Sequence, residues 1–259
     1  ISFAYIDHLK RRHSFVDARL LKRLFWYHLL LTGAYYGYVQ FNHSDSRSYY
    51  SKVIYNLRGE TWMDFYGTST TFIEFVAYPF IKYIGFLYEA TMALFSLFGF
   101  FGFIYFYIFF RENIRFKHYF YGYDLLTLIF FLANLHFRST SLGKGSIIFL
   151  GIGLFFFGIS RIHKRIIPTI IGALIIYHIR PHIMLVILVS SILGFIFTTK
   201  GVGFAWRLLF LTVGVISLFY IYQDVLKLVG LDEQEFLAEG LDMTHRARDL
   251  TKATSGVDI

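Results

Sequence analysis

The chain has 259 residues, 56% of them hydrophobic and 21% aromatic, with a mean hydropathy of +0.53 and only 16% charged residues. That composition excludes an ordinary soluble domain, and the lack of cysteine excludes a disulfide framework, a thiol nucleophile and any cysteine-held zinc or iron–sulfur centre. The net charge of +8 fits either a nucleic-acid surface or Lys and Arg flanking membrane spans, and its distribution along the chain decides between them.

The chain opens on Ile1 and closes on the polar TKATSGVDI, and the natural protein is expected to continue beyond both ends. Residues 1–23 carry the basic runs HLKRRH and RLLKR without a small-residue cleavage site. They read as a cytoplasmic amphipathic N-terminal segment and not as a signal peptide. A helix rising about 1.5 Å per residue needs about twenty apolar residues to cross about 30 Å of hydrocarbon. Windows at 24–41, 91–110, 122–137, 145–160, 166–180, 183–199 and 203–222 approach that length. The expected fold is therefore all-α, a polytopic transmembrane helix bundle of about seven spans over 24–222. The stretch TTFIEFVAYPFIKYIGFLYEA at 70–90 is apolar but broken by Glu74, Pro79 and Lys82, so it reads as an interfacial or re-entrant helix. Residues 223–259 read as an outer-face loop or the start of an extracytoplasmic segment, in which DEQEFLAEGL is either a docking element or a solvated interfacial helix.

With the N-terminus in the cytoplasm, seven crossings leave RENIRFKHYF, SRIHKR and TTKG inside, where the positive-inside rule wants the basic clusters. The excess charge is then mostly topology, and nucleic acid is not an expected partner. The outer face receives the loops around FNHSDSRSYY, HFRSTSLGKG and HIRPH. Ionisable groups near membrane depth are costly unless paired or hydrated, so their gathering on one face marks a candidate site.

In HFRSTSLGKG, Arg138 and Lys144 flank three hydroxyl residues and two glycines just before a helix start. That pattern suits an anion such as phosphate, although the P-loop spacing is absent and a polar hairpin with snorkelling cations is the alternative. In HIRPH, Arg180 suits bidentate phosphate binding or anchoring to headgroups. His178 and His182 are four apart, but Pro181 lies between them with no acidic partner nearby, which argues against a metal site. In FNHSDSRSYY, Asp45 is a candidate general base, held by Arg47 or by hydroxyls, and Tyr49 and Tyr50 offer stacking faces to a sugar. The alternative has Asp45 capping a short helix SRSYYSKVIYNL and the tyrosines in the aromatic belt. Glu60, Asp64 and Glu74 are less easily placed.

The order of these features, Asp45-Ser46-x-x-Tyr49-Tyr50 after the first span, then NLHFRSTSLGKGSIIFLGIGLFFFGI from Asn134 to Ile159, then IRPHI from Ile179 to Ile183, resembles the bacterial integral-membrane polysaccharide polymerases of the Wzy and EpsG type. That broad superfamily also holds O-antigen ligases, and the likeness is greatest to exopolysaccharide membrane proteins of Bacteroidetes-type bacteria. The tail HRARDLTKATSGVDI also looks like the outer segment that precedes further spans in such proteins. The resemblance implies a multi-pass protein of the bacterial inner membrane with a periplasmic active face. It implies glycosyl transfer from a polyprenyl-pyrophosphate donor to a sugar hydroxyl in polysaccharide biosynthesis, with Arg138, Lys144 and Arg180 on the anion and Asp45 or His182 as base. No soluble cofactor is expected, and divalent-metal dependence is left open. The expected partners are the lipid-linked glycan and membrane lipids. A transporter or flippase of a lipid-linked or anionic solute and a structural subunit of an envelope complex with partner proteins are the readings from other classes.

Overall fold

In the computed structural model the chain is described over residues 2–114 and 119–198 and at 208, 211, 212, 214–216 and 219. Compact packing divides it into residues 1–180 and residues 181–259. The first unit is almost wholly helical. A short helix α1 (Ser2–Arg12) precedes α2 (Ala18–Phe41), whose start is set by Asp17, its carboxylate accepting the N–H groups of Arg19 and Leu20. Then come α3 (Asp45–Ile54), a 3-10 turn at Trp62–Phe65, α4 (Thr70–Tyr78) running into a π-turn at Pro79–Tyr83, and the long α5 (Tyr88–Asn113). A two-stranded hairpin, β1 (Tyr119–Phe120) with β2 (Tyr123–Asp124), leads to α6 (Leu125–Phe130) and α7 (Ala133–Ser139). The unit closes with α8 (Lys144–Ile159) and α9 (Ile162–Ile179).

Glycine lets α5, α8 and α9 approach at backbone distance. A Cβ on Gly153 would sit 2.8 Å from the Gly102 carbonyl, and one on Gly172 would sit 2.6 Å from the Gly151 carbonyl. A Cβ on Gly99 would collide with the Ser139 carbonyl. Small residues at such crossings are how helices associate where lipid removes the hydrophobic driving force. The contacts fix direction: Phe149 meets Phe103 and Phe106, and Phe156 meets Phe109, so α8 runs parallel to α5. Gly158 meets Thr169 and Gly151 meets Ile175, so α9 returns antiparallel. The outward face of α9 is greasy, with Ile167, Ile170, Ile171 and Leu174 exposed while Thr169, Gly172 and Ile176 point inward. Apolar outside and small or polar inside is the pattern of a helix facing lipid.

Seven spans are not supported. Among the described residues α5 and α9 are long and apolar enough to cross a membrane, and α7 with α8, bent by 109°, make a third if they count as one broken span. The protein is thus mostly helical with two or three candidate crossings. The window at 24–41 lies in α2, which is long enough but too polar, its apolar run interrupted by His28, Gln40 and the tyrosines Tyr27, Tyr35, Tyr36 and Tyr38. The window at 122–137 is no single helix: the hairpin, α6 and α7 divide it. There Phe130 packs on Tyr107 and Phe110, and Ser139 reaches Gly99. The window at 145–160 matches α8, whose sixteen residues span only about 24 Å. The window at 166–180 starts beyond a break in α9 at Arg165, three residues before Pro168, where a proline ring would clash with a straight helix. In the second unit α10 (Pro181–Thr198) covers the window at 183–199 as far as Thr198. The window at 203–222 lies almost entirely outside the described residues, as do TTKG apart from Thr198, most of RENIRFKHYF beyond its helical start, and everything in 223–259. The 70–90 stretch, read as interfacial or re-entrant, forms α4 and its π-turn, fourteen residues in all.

Replacing Gly153 or Gly172 by Val is expected to lower the stability of the detergent-purified protein by about 1–3 kcal/mol through forced separation of the helices. Gly33→Ala and Gly37→Ala, at sites with open space around the added methyl, should leave it unchanged or higher. Thermal unfolding of the four variants checks this.

Candidate functional site

At one end of the first unit the ends of α2 and α9 meet the beginnings of α3, α4, α5 and α8. The core beneath them is Tyr49, Val53, Phe65, Ile73, Phe95, Leu142, Ile147 and Ile179. Ser44, not Asp45, caps α3, its hydroxyl accepting the Ser46 N–H. Asp45 is the first helical residue and its carboxylate stays exposed. One face of α3 carries Asp45 and Tyr49, and the 3.6-residue repeat sends Arg47, Tyr50 and Ser51 to another.

Tyr49 is buried, its ring 3.7 Å from where a Cβ on Gly143 would stand. Gly143 is the residue that precedes α8. Burial, then the charges of Asp45 and Glu74, push the Tyr49 phenol up to about 12, with Arg180 acting in the opposite direction. The phenol therefore stays protonated across the neutral range. Lys144, at the first position of α8, feels the charges of both Arg180 and Asp45, and its ammonium donates to the Ser69 hydroxyl at 2.9 Å. Ser69 also donates its N–H to the His178 carbonyl at 2.6 Å, which joins the starts of α4 and α8 to the end of α9. It does so at φ 63° and ψ −116°, a conformation costing a non-glycine residue on the order of 1–3 kcal/mol.

The structure thus brings Asp45, Tyr49, Lys144 and Arg180 together. It leaves them without mutual ion pairs: among the described residues no salt bridge or side-chain hydrogen bond engages Asp45 or Arg180, and the Tyr49 hydroxyl donates to no protein atom. Other acids nearby are closed. Glu74, fully buried, is held by Arg58 through two guanidinium nitrogens and by Lys52 at 3.4 Å. Asp64 accepts the Thr61 N–H at 2.8 Å. At the opposite end Glu112 takes Arg165 in a bidentate pair at 2.7 and 2.8 Å, and Asp124 takes Arg111 at 2.5 Å.

A second feature lies on the other face of α3. Tyr36, Gln40, Arg47, Tyr50, Ser51, Tyr88 and Glu89 line an open cavity of about 250 Å³. Tyr36 donates to Glu89 at 3.0 Å, Arg47 to Gln40 at 2.6 Å and Tyr50 to the Phe86 carbonyl at 3.3 Å, while Tyr88 shares a hydrogen bond with Ser46 at 2.7 Å. Arg47 therefore orients the cavity wall and does not hold Asp45. Arg138 is exposed on α7, bonded to Asn134 at 3.2 Å, and does not join Lys144 and Arg180. His178 has both ring nitrogens engaged, one on the Leu174 carbonyl and the other on the Tyr66 hydroxyl. His182 belongs to the second unit. Among the described residues no group of three or more His, Asp or Glu is arranged to hold a metal. Sequence reasoning passed over Ser69, Tyr66, Tyr36, Gln40 and Glu89, and only the one-turn spacing of Tyr36 and Gln40 near the end of α2 hinted at a shared face.

No family model matches the chain, and no curated protein and no solved structure matches it.

Asp45→Asn should leave thermal stability in detergent unchanged, because the carboxylate closes no ion pair. Glu74→Ala should cost about 3 kcal/mol, the scale for breaking a buried ion pair. Comparing the two melting curves separates a group kept for a ligand from a group kept for the fold.

Proposed function

We propose that the protein catalyses glycosyl transfer in a membrane, moving a glycan from a polyprenyl-pyrophosphate donor to a sugar hydroxyl, on the outer face of the bacterial inner membrane. The observation that carries this reading is the cluster of Lys144, Arg180 and Asp45, charged groups within electrostatic reach of one another that close no ion pair among the described residues, with the protonated Tyr49 beside them. The resemblance of the same segments to polysaccharide polymerases and O-antigen ligases points in the same direction.

In this mechanism Lys144, Arg180 and the first N–H groups of α8 hold the pyrophosphate, a task that suits a helix start backed by two cations. The acceptor oxygen attacks the anomeric carbon, and the bond from that carbon to the phosphate oxygen breaks. The polyprenyl pyrophosphate leaves with the bonding pair, and the acceptor proton passes to the Asp45 carboxylate. The cations stabilise the charge that gathers on the leaving group, an interaction stronger in the transition state than in the ground state. Tyr49, protonated, donates to a phosphate or sugar oxygen. The cavity beyond Arg47, Tyr50 and Tyr88 has the aromatic faces and hydrogen-bonding groups that suit a sugar ring. Arg138 and His182 take no part in this scheme.

Transport of a lipid-linked or anionic solute is the second reading, favoured by the 109° bend between α7 and α8, since broken helices at polar sites also serve transporters.

Lys144→Ala, Arg180→Ala and Asp45→Asn, each expressed in the native host at wild-type level, are expected to abolish long surface polysaccharide and leave single lipid-linked repeat units on the outer leaflet. Normal chain length would refute the roles given to these residues. Units retained on the inner leaflet would favour transport. With purified protein, each cation substitution should weaken binding of a polyprenyl pyrophosphate about 10- to 100-fold, the value of a hydrogen bond to a charged group.

A further inference from the structure

Deep in the first unit, away from the candidate site, α2 and α7 bring two histidines into direct contact. His28 Nδ1 lies 2.8 Å from His136 Nδ1, and both residues are buried, at 2% and 0% exposure. The opposite nitrogen of each ring faces a backbone carbonyl: His28 Nε2 is 2.9 Å from the Ser96 oxygen, and His136 Nε2 is 2.7 Å from the Phe130 oxygen.

These contacts fix a proton count. A carbonyl oxygen only accepts, so both Nε2 atoms must carry hydrogen. Two neutral rings would then present bare lone pairs to each other across 2.8 Å. Moving either ring to its other tautomer would satisfy the bridge but turn a lone pair onto a carbonyl. Three protons on the two rings satisfy all the contacts, with N–H···N joining the rings. We propose that His28 and His136 form a buried proton-binding site, an imidazolium–imidazole pair that holds one excess proton and clamps α2 to α7.

Burial disfavours a charge on either ring, and the aromatic surroundings offset part of that cost. The His136 ring stacks on Phe103 at 4.0 Å between centroids and 8° between planes, and His28 has Phe100 at 5.8 Å and Phe103 at 5.6 Å. Aromatic faces attract cations. Thr32, on α2, donates to the His28 carbonyl at 2.8 Å and shares a 2.6 Å contact with Ser96 on α5, next to the carbonyl that His28 uses. Among the described residues the titratable neighbour is Tyr27 on α2, edge-on to His136 at 5.0 Å. α5 presents Ser96, Phe100 and Phe103, α6 presents Phe130, and among the described residues no carboxylate, lysine or arginine acts on either ring. The excess proton is held by geometry and not by a counter-ion.

The sign of the pH dependence follows. Unfolded, the two histidines bind up to two extra protons below their ordinary pKa of about 6.5 and none well above it. Folded, the pair binds one. Above about pH 6.5 the folded state holds more protons, so the pair's contribution to stability falls as pH rises. Below that value the unfolded state holds more, and the contribution falls as pH drops. The contribution peaks near the ordinary histidine pKa, whereas a neutral pair would contribute progressively more as pH rises through it.

The deciding experiment is NMR of the full chain in bilayers, with 15N-labelled histidine, at about pH 6.5. The expected result is a through-hydrogen-bond coupling between ring nitrogens of two different histidines, three of whose four nitrogens are protonated. Its loss in both His28→Gln and His136→Gln assigns it. Absence of that coupling in wild type, or two rings each with one protonated nitrogen, overturns the proposal even if the variants fail to fold. Where the variants do fold, the difference in melting temperature between wild type and the double variant His28→Gln/His136→Gln should pass through a maximum near pH 6.5, and a difference that only rises with pH overturns the proposal as well.

Discussion

At membrane depth water is scarce, so a polar group must find its partner within the protein or be positioned for a ligand. Much of this structure follows from that constraint. Among the described residues no buried side-chain nitrogen or oxygen lacks a hydrogen-bond partner. Glu74 recruits Arg58 and Lys52 from α3 and the loop after it, and Glu112 recruits Arg165 and Arg161 from the start of α9. These pairs staple opposite ends of the unit. Against that background, a carboxylate, an ammonium and a guanidinium that share a neighbourhood without closing on one another are conspicuous, and they are what distinguishes the start of α8 as a site.

Backbone proximity supplies the second condition. Because Gly102 faces Gly153 and Gly151 faces Gly172, the short α8 is gripped between α5 and α9 along its length. Its first turn is thereby held beside the end of α9 and the first turn of α3. Ser69 completes the bracing, one residue bonded to both Lys144 and the His178 backbone. A strained serine there is consistent with a geometry imposed by several elements at once. Positioning of this kind, by residues whose own contacts are fixed, is what electrostatic catalysis requires.

The sequence made some of this legible and hid the rest for identifiable reasons. Hydropathy located α5, α8 and most of α9, because a long apolar run has few other fates. It failed at 122–137, where the run is equally apolar but Asp124 is paired with Arg111 and the chain breaks at Phe131 and Leu132. Periodicity cannot register a break made by tertiary contacts. The association of Asp45, Tyr49, Lys144 and Arg180 was legible as three polar loops expected on one face. The exclusion of Arg138 was not, since only the bend after Ser139 separates it from Lys144, six residues away. Likewise, Ser44 rather than Asp45 caps α3 because the extended backbone at Ser44 aims its hydroxyl at the Ser46 N–H, a choice that two adjacent capping residue types leave open.

The histidine pair shows the same constraint acting where no ligand is required. His28 interrupts a run of apolar residues in α2, and His136 sits in a segment that reads as a span, so each alone looks like an isolated polar residue in a greasy helix. Their meaning comes from the break between α6 and α7. It frees the Phe130 carbonyl from a continuous helical ladder and turns it toward His136 Nε2, leaving Nδ1 directed at α2. A straight helix through 122–137 would have consumed that carbonyl internally and left His136 Nε2 short of a partner. The bent segment thus connects the two polar features: one end delivers α8 to the cluster of Lys144, Arg180, Asp45 and Tyr49, and the other delivers the acceptor that fixes the protonation of the pair.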